Sequence, residues 1–271
     1  MERLSSPDKK KVYYGLDLLK FIMAFIVVMI HVKPFPAGTV LYSAFSQLLA
    51  VAVPVFFVIS AFLLFSKTYG SNSDGGGDLS VIQRFTTRIL ILYGIWLLIE
   101  IPWVIFNKPY FTEPFLKGLM DFIKDVLFAT TFPGSWFLSA LVLGVWVVFL
   151  LSRVVKEEIV FVQSLFVSLY VIYGGFSEGL RGPLEWYSQN VREEVNLSFP
   201  FTLVWVSMGQ LMAKYKEKVL SSGSPIVLGL SCLVIYICYL LFPSYLWTYL
   251  SLCPCIDVAG IGYKSARKKV L

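Results

Sequence analysis

The stretch LYSAFSQLLAVAVPVFFVISAFLLF, residues 41–65, decides the fold class of this chain. Its 25 residues include no charged side chain. A helix of about 20 apolar residues is enough to cross the hydrocarbon core of a bilayer. Only a helix or a closed barrel satisfies the backbone polar groups there, and a helix does so within one segment. The stretch therefore predicts a membrane-spanning helix.

Similar apolar runs recur on both sides of this stretch. They predict further spans at 16–33, 85–106, 136–152, 159–175, 199–213, 225–242 and 244–262. The chain is 57% hydrophobic and 15% charged, whereas a soluble domain is about 45–50% apolar and about 25% charged. We therefore expect an all-α fold, a polytopic transmembrane bundle of about eight spans.

Basic residues predict how these spans are oriented. With a cytoplasmic N-terminus, the inner segments hold 16 Lys and Arg residues and the outer segments hold 6. Cytoplasmic loops usually carry this excess. We expect a multi-pass protein of the cell membrane with its N-terminus in the cytoplasm. Because the basic residues cluster at span ends, the net charge of +6 does not indicate a nucleic-acid partner.

The four cysteines lie in the late apolar runs, at Cys232, Cys238, Cys253 and Cys255. Only one residue separates Cys253 from Cys255, which is too close for the usual zinc or redox spacings. Small apolar packing residues are the plain interpretation. We therefore expect no metal site.

Two segments between the predicted spans have distinctive residue patterns. Residues 115–128 place most apolar side chains on one helical face and most charges opposite, which predicts an amphipathic helix in contact with lipid at the outer interface. The outer loop 176–196 holds the aromatic and charged residues that sugar binding uses. An ordinary polar connector would have the same composition.

Polar residues inside spans are costly and are functional candidates. The first span offers Asp17, Lys20 and His31. Lys20 and His31 are eleven positions apart, so they share a helical face and are separated by roughly 16 Å along the axis. Each also has a structural interpretation: Lys20 can extend to the interface, His31 can be a packing residue, and Asp17 can cap the helix or pair with Lys20.

Three later elements have similar alternatives. The second span contains PVFFVISAFL, residues 54–63, which is also what a proline-containing packing helix needs. Arg84 and Arg88 share a face of the third span and are either positive-inside anchors or a phosphate clamp. Trp136 opens the fourth span and fits an interfacial aromatic belt.

In this order the elements resemble the acyltransferase-3 family of membrane acyltransferases. GLDLLKFIMA (15–24), continuing to His31, is similar to that family's first motif, a basic residue with a histidine eleven positions later. The later matches are FFVISAFL (56–63), RILILY (88–93), WFL (136–138) and FPF (199–201) with Gly209. The resemblance covers residues 13–215.

The resemblance implies transfer of an acyl group, most simply acetyl, from acyl-CoA to a hydroxyl of an envelope carbohydrate or lipid-linked glycan. His31 would be the base, Lys20, Arg84 and Arg88 would hold the CoA phosphates, and Asp17 would orient Lys20. Ser60 and Trp136 would lie on the substrate side, although Trp136 could equally anchor its helix. Acetyl-CoA would be a donor substrate, and no permanently bound cofactor is expected.

This sequence also departs from the family pattern. Ala61 replaces a glycine, which we expect to affect packing, Leu92 replaces a proline, and Arg84 and Arg88 are one position further apart than usual. Family members commonly have more spans (about ten). We therefore expect residues 1–271 to form a single membrane-embedded domain that is shortened at its C-terminus.

Two other functions remain open. A transporter of a small molecule or lipid-linked sugar would use the intramembrane carboxylates Glu100 and Asp257 as relay residues. A catalytically inactive relative would bind a partner instead.

Overall fold

The computed structural model describes residues 14–32, 34–36, 39–69, 76–173, 178–191 and 195–216. In these ranges the chain is helical and contains no strand. Its helices are α1 Tyr14–Val32, α2 Val40–Thr68, α3 Gly76–Ile99, α4 Ile101–Asn107, α5 Phe115–Phe128, α6 Ser135–Leu151, α7 Glu157–Tyr173, α8 Glu178–Asn190 and α9 Phe199–Lys214, with 3₁₀ turns at Pro109–Phe111 and Val195–Leu197. The all-α prediction is confirmed for this part of the chain.

Most predicted spans coincide with helices, although α3 begins at Gly76, nine residues before the predicted third span. The third span divides at Glu100 into α3 and α4, because Pro102 has no N–H to donate to the carbonyl of Leu98. The segment 176–196, which the sequence predicted to be an outer loop, contains the helix α8. The expected spans 225–242 and 244–262 lie outside the described residues.

By length and composition, one helix of the described residues could cross a membrane, Asp78–Ile99 within α3. Shorter apolar helices are Ala52–Thr68 and Ser135–Leu151. The apolar side chains of α3 lie largely on the outside, with Leu98 68% and Ile99 60% exposed. A core helix of a soluble protein would bury such residues, whereas lipid would cover them. The count of eight spans stays a prediction.

The core forms where α9 packs against α2, α6 and α7. Phe57 and Phe65 of α2, Val145 and Val148 of α6, and Val206 of α9 are almost fully buried within it. The buried residues of this core recur at spacings such as eight on α2 and three on α6, so each helix presents one face to its neighbours. The apolar periodicity of these helices therefore serves their packing against one another.

The backbones of α2 and α9 come unusually close at Gly209. A Cβ atom at this position would lie 2.5 Å from the Val58 carbonyl oxygen and 2.7 Å from the Ala61 Cβ. Ala61 itself is fully buried. Close crossings between helices require small residues. The departure at Ala61 thus lies in a packing contact, where α9 supplies the glycine.

Hydrogen bonds and ion pairs join α2, α7 and α9 at one end of the bundle. Tyr69 donates to Glu157 Oε1 at 3.0 Å, and the Lys214 ammonium lies 2.9 Å from Glu157 and 2.7 Å from Glu158. The hydrogen bond from Lys214, with a second from Tyr215, lowers the pKa of Glu158 to about 2. The same two glutamates raise the pKa of Lys214. We call this group the end clasp, Tyr69–Glu157–Glu158–Lys214–Tyr215.

Candidate functional site

A cavity of about 370 Å³ lies between α1, α2 and α3. Its lining includes four cationic side chains and no carboxylate. The lining residues are Lys20 of α1, Ile59, Ser60, Leu63, Leu64 and Lys67 of α2, and Val81, Arg84, Phe85 and Arg88 of α3. We call this the cationic cavity.

Helical spacing explains this lining. On α2, positions 60, 63, 64 and 67 recur every three or four residues, and on α3 the positions are 81, 84, 85 and 88. Residues at these spacings share one face of a helix. Two facing stripes therefore form the walls, and α1 adds Lys20.

The four cations differ in how they are already held. Lys20 Nζ lies 2.6 Å from Asp17 Oδ1 across one helical turn, so the predicted pairing is present. Arg84 donates through Nε to the Ser80 carbonyl at 3.1 Å, which draws its guanidinium back along α3. Lys67 and Arg88 make no ion pair or side-chain hydrogen bond with the described residues. They are the cations that are most available to a bound anion.

The structure brings together four residues that the sequence singled out in three separate helices: Lys20, Ser60, Arg84 and Arg88. Arg84 lines the cavity despite its unusual spacing from Arg88. Sequence reasoning missed Lys67, which it counted only as a cytoplasmic basic residue. The available signal was the seven-residue spacing from Ser60, two helical turns along the same face of α2.

His31 lies in α1, and its side chain is outside the described residues. The helix itself is continuous from Tyr14 to Val32. An unbroken helix separates Lys20 and His31 by roughly 16 Å along its axis. The catalytic role of His31 stays a prediction.

Trp136 does not line the cationic cavity. It lies two positions after Gly134, whose φ of 82° suits a residue without a side chain. Its ring packs against Phe57 with ring centroids 6.4 Å apart. The buried Ser135 hydroxyl accepts from the Thr131 N–H at 2.9 Å, which helps to hold this turn in place. Trp136 thus has a packing contact with α2, and its role in acceptor binding stays a prediction.

A polar cluster that the sequence did not predict joins the last turn of α5 to the 3₁₀ turn that precedes this helix. Lys108 Nζ is 2.7 Å from Asp125 Oδ2, which also accepts a hydrogen bond from the Tyr110 hydroxyl. Burial raises the pKa of Tyr110, and the bond to Asp125 raises it further. Gly118 allows Tyr110 to approach α5, since a Cβ there would collide with the Tyr110 carbonyl oxygen. The cluster holds the amphipathic helix against the 3₁₀ turn.

The cationic cavity can bind an anion that also has an apolar portion. Guanidinium and ammonium groups form strong charge-assisted hydrogen bonds to phosphate, and Leu63, Leu64 and Phe85 supply apolar walls. Among the residues whose positions are described, no group of three or more His, Cys, Asp or Glu side chains could hold a metal ion.

One curated relative is an amino-acid racemase of Enterococcus faecalis. It is 32% identical to this chain over 176 residues, and the match covers 64% of this chain. The chain spans only 23% of that relative's length. No solved structure matches this chain.

The family comparison covers much more of the chain. The acyltransferase-3 model, described as an acyltransferase domain, matches residues 13–263. This match begins where the sequence resemblance began and extends beyond its last motif. It includes every residue of the cationic cavity and His31. The chain belongs to the acyltransferase-3 family.

Proposed function

We propose that this protein is an integral membrane O-acyltransferase. It transfers an acyl group, most simply acetyl, from acyl-CoA to a hydroxyl of a cell-surface or envelope carbohydrate. The observation that carries this proposal is the cationic cavity, where residues from three separate sequence motifs meet. Family membership supports the acyltransferase class.

The cavity supports a role for its cations in donor binding. Arg88 is exposed and has no ion pair with a described residue, so a phosphate can approach it directly. Arg84 would leave its contact with Ser80, 3.1 Å away, to join it. Lys20, kept in place by Asp17, closes the site from α1. The CoA phosphates would thus contact both α1 and α3.

His31 supplies the base in this proposal. A sugar hydroxyl is a weak nucleophile at neutral pH, and imidazole titrates close to neutrality. His31 takes the hydroxyl proton as the oxygen attacks the thioester carbonyl, and the C–S bond breaks to release CoA as a thiolate. The thiolate takes up the proton that His31 removed, so that free CoA and an acylated carbohydrate leave and the imidazole is again neutral. His31 and Lys20 belong to the same continuous helix, α1, so the base and one of the phosphate-binding cations are held on one element.

Membrane integration fits the same scheme. Acyl-CoA is cytoplasmic, whereas envelope carbohydrate is completed at or beyond the outer face. The exposed apolar side of α3 supports an intramembrane position. The stripe from Lys20 to His31 would carry the thioester from the cytoplasmic edge into the membrane.

Thioester consumption tests the proposed function. The full chain, purified and reconstituted in lipid, is mixed with acetyl-CoA and glycan fractions from the cell envelope. Release of free CoA should match acetyl groups found on the glycan by mass spectrometry, and reactions without glycan are the control. Bound acetyl-CoA that is never consumed with any envelope fraction would refute acyl transfer.

A non-acylating protein is the second candidate. The matched relative is named for racemisation, and the match covers only 23% of it. A segment similar to this chain is therefore present in a protein that is named for another activity.

A transporter would use Glu100, at the break between α3 and α4, and Asp257, which lies outside the described residues. Uptake of a labelled amino acid into proteoliposomes, lost in Glu100→Gln, would favour this candidate.

A further inference from the structure

Lys67 lies in the cationic cavity but belongs to none of the sequence motifs. It is in the last turn of α2, and its side chain is exposed. It has no hydrogen bond or ion pair with a described residue. A lysine that only anchored a helix at an interface would not need to line a cavity together with Arg84 and Arg88.

The available cations lie at different places along the cavity. Lys67 is seven residues from Ser60, or about 10 Å along α2. Arg88 lies on the facing helix α3, four residues and about 6 Å from Arg84. A ligand that contacts both Lys67 and Arg88 has to bridge α2 and α3, which an elongated ligand with separate phosphate groups can do.

The direction of the helices orients such a ligand. Lys20 lines the cavity with Ser60, while Ile26, further along α1, shares an apolar cluster with Ala52, which is earlier on α2. The two helices therefore run in opposite directions. Going from Lys20 towards His31 along α1 means going away from Lys67 at the end of α2.

This geometry gives the two ends of acyl-CoA different surroundings. The thioester is at one end of the molecule, the 3′-phosphate of adenosine is at the other, and the pyrophosphate lies between them. With the thioester towards His31, the adenosine end lies towards Lys67. The Arg84–Arg88 pair is then left for the pyrophosphate.

We propose that Lys67 binds the 3′-phosphate of the donor and makes the site selective for CoA over 3′-dephospho-CoA. This inference rests on the proposed function, because it takes the donor to be acyl-CoA. Lys67 is a specificity residue here and takes no part in breaking the thioester.

Binding measurements on the full chain in lipid nanodiscs test the assignment, with CoA and 3′-dephospho-CoA as the two probes. The wild type should bind CoA at least tenfold more tightly, which is about 1.4 kcal/mol. Lys67→Gln should remove this preference by weakening CoA alone. Arg88→Gln should weaken both probes by a similar factor.

Two matched variants serve as controls. Lys67→Arg keeps the positive charge and should keep the preference for CoA. Lys156→Gln removes an exposed lysine outside the cavity and should change neither affinity. Equal weakening of both probes by Lys67→Gln, or equal wild-type affinities, would overturn the inference alone. A wild type that bound neither probe would overturn the proposed function as well.

Discussion

At the scale of single residues, the environments of the four cations in the cavity are not equivalent. Asp17 already neutralises Lys20, and Ser80 holds Arg84. An exposed ion pair contributes only about 0–1 kcal/mol to stability. The Asp17–Lys20 pair is therefore better understood as orienting the ammonium group than as stabilising α1.

His31→Gln should abolish acyl transfer while the protein still inserts and binds acyl-CoA. Glutamine keeps polarity and approximate size but cannot take the hydroxyl proton. General-base assistance contributes about 10²–10⁴-fold in rate, and the chain has no second histidine to replace it. The measurement is glycan acetylation beside acetyl-CoA affinity for both proteins. Near wild-type acetylation by the variant would make His31 a packing residue.

At the scale of helices, close backbone contact rather than side-chain volume controls how α9 meets α2. Gly209 faces the Val58 carbonyl and Ala61. By contrast, Gly94 of α3 has no atom within 4 Å of the position that a Cβ would occupy. The two glycines therefore form a matched pair for testing the crossing.

Gly209→Ala should lower the thermal unfolding temperature of the purified protein, and Gly94→Ala should leave it nearly unchanged. The new methyl group would lie 2.5 Å from a carbonyl oxygen, so the helices must separate. Overpacking of this kind typically costs about 1–3 kcal/mol. Equal unfolding temperatures for the two variants would show that α2 and α9 are not in this contact.

The end clasp should make the stability of the fold depend on pH in acid, through Glu158 and its two partners at the end of α9. Hydrogen bonds from Lys214 and Tyr215 lower the pKa of Glu158 from 4.5 to about 2. A lowered folded-state pKa stabilises the fold above the unfolded value, and this contribution is lost as the pH falls from about 4.5 towards 2.

Glu158→Gln tests this dependence. The unfolding temperature of the wild type should exceed that of the variant at pH 7, and the difference should shrink as the pH falls below about 4.5. Because Glu158 is exposed, salt should also reduce the difference. A difference that stayed constant between pH 7 and pH 3 would mean that the clasp is absent in solution.

At the scale of the whole molecule, the ends of some described helices lie beside the beginnings of others. The end of α2, the beginning of α7 and the end of α9 meet in the clasp. An ion pair of 3.4 Å between Arg153 and Asp78 adds the end of α6 and the beginning of α3. Spans that alternate in direction would meet in this way, and the basic residues predict that this end is cytoplasmic.

Cysteine labelling in intact cells should place the clasp end inside. Lys156→Cys and Lys216→Cys should react only after the membrane is permeabilised, whereas Lys117→Cys should react from outside. The four native cysteines, all between residues 232 and 255, are replaced beforehand to remove background. Labelling of position 216 from outside would reverse the predicted orientation.

Local patterns in the sequence were enough to locate most elements. Apolar run length and helical periodicity predicted the helical class, and α5 has the bounds that its amphipathic pattern indicated, Phe115–Phe128. Residues at i, i+3 and i+4 share a face whatever the rest of the chain does. The pairing of Asp17 with Lys20 could therefore also be predicted, as could the shared face of Arg84 and Arg88.

Contacts between distant segments were decided only by the tertiary structure. Lys67 lines the cationic cavity because the face of α2 that carries it packs towards α3. A pattern within one helix does not predict which face of another helix it will meet. The same holds for Gly209 against Ala61 and for Asp125 between Lys108 and Tyr110. The sequence by itself determined the helices and the residues on each face. The packing of one helix against another decided which of those faces became a site.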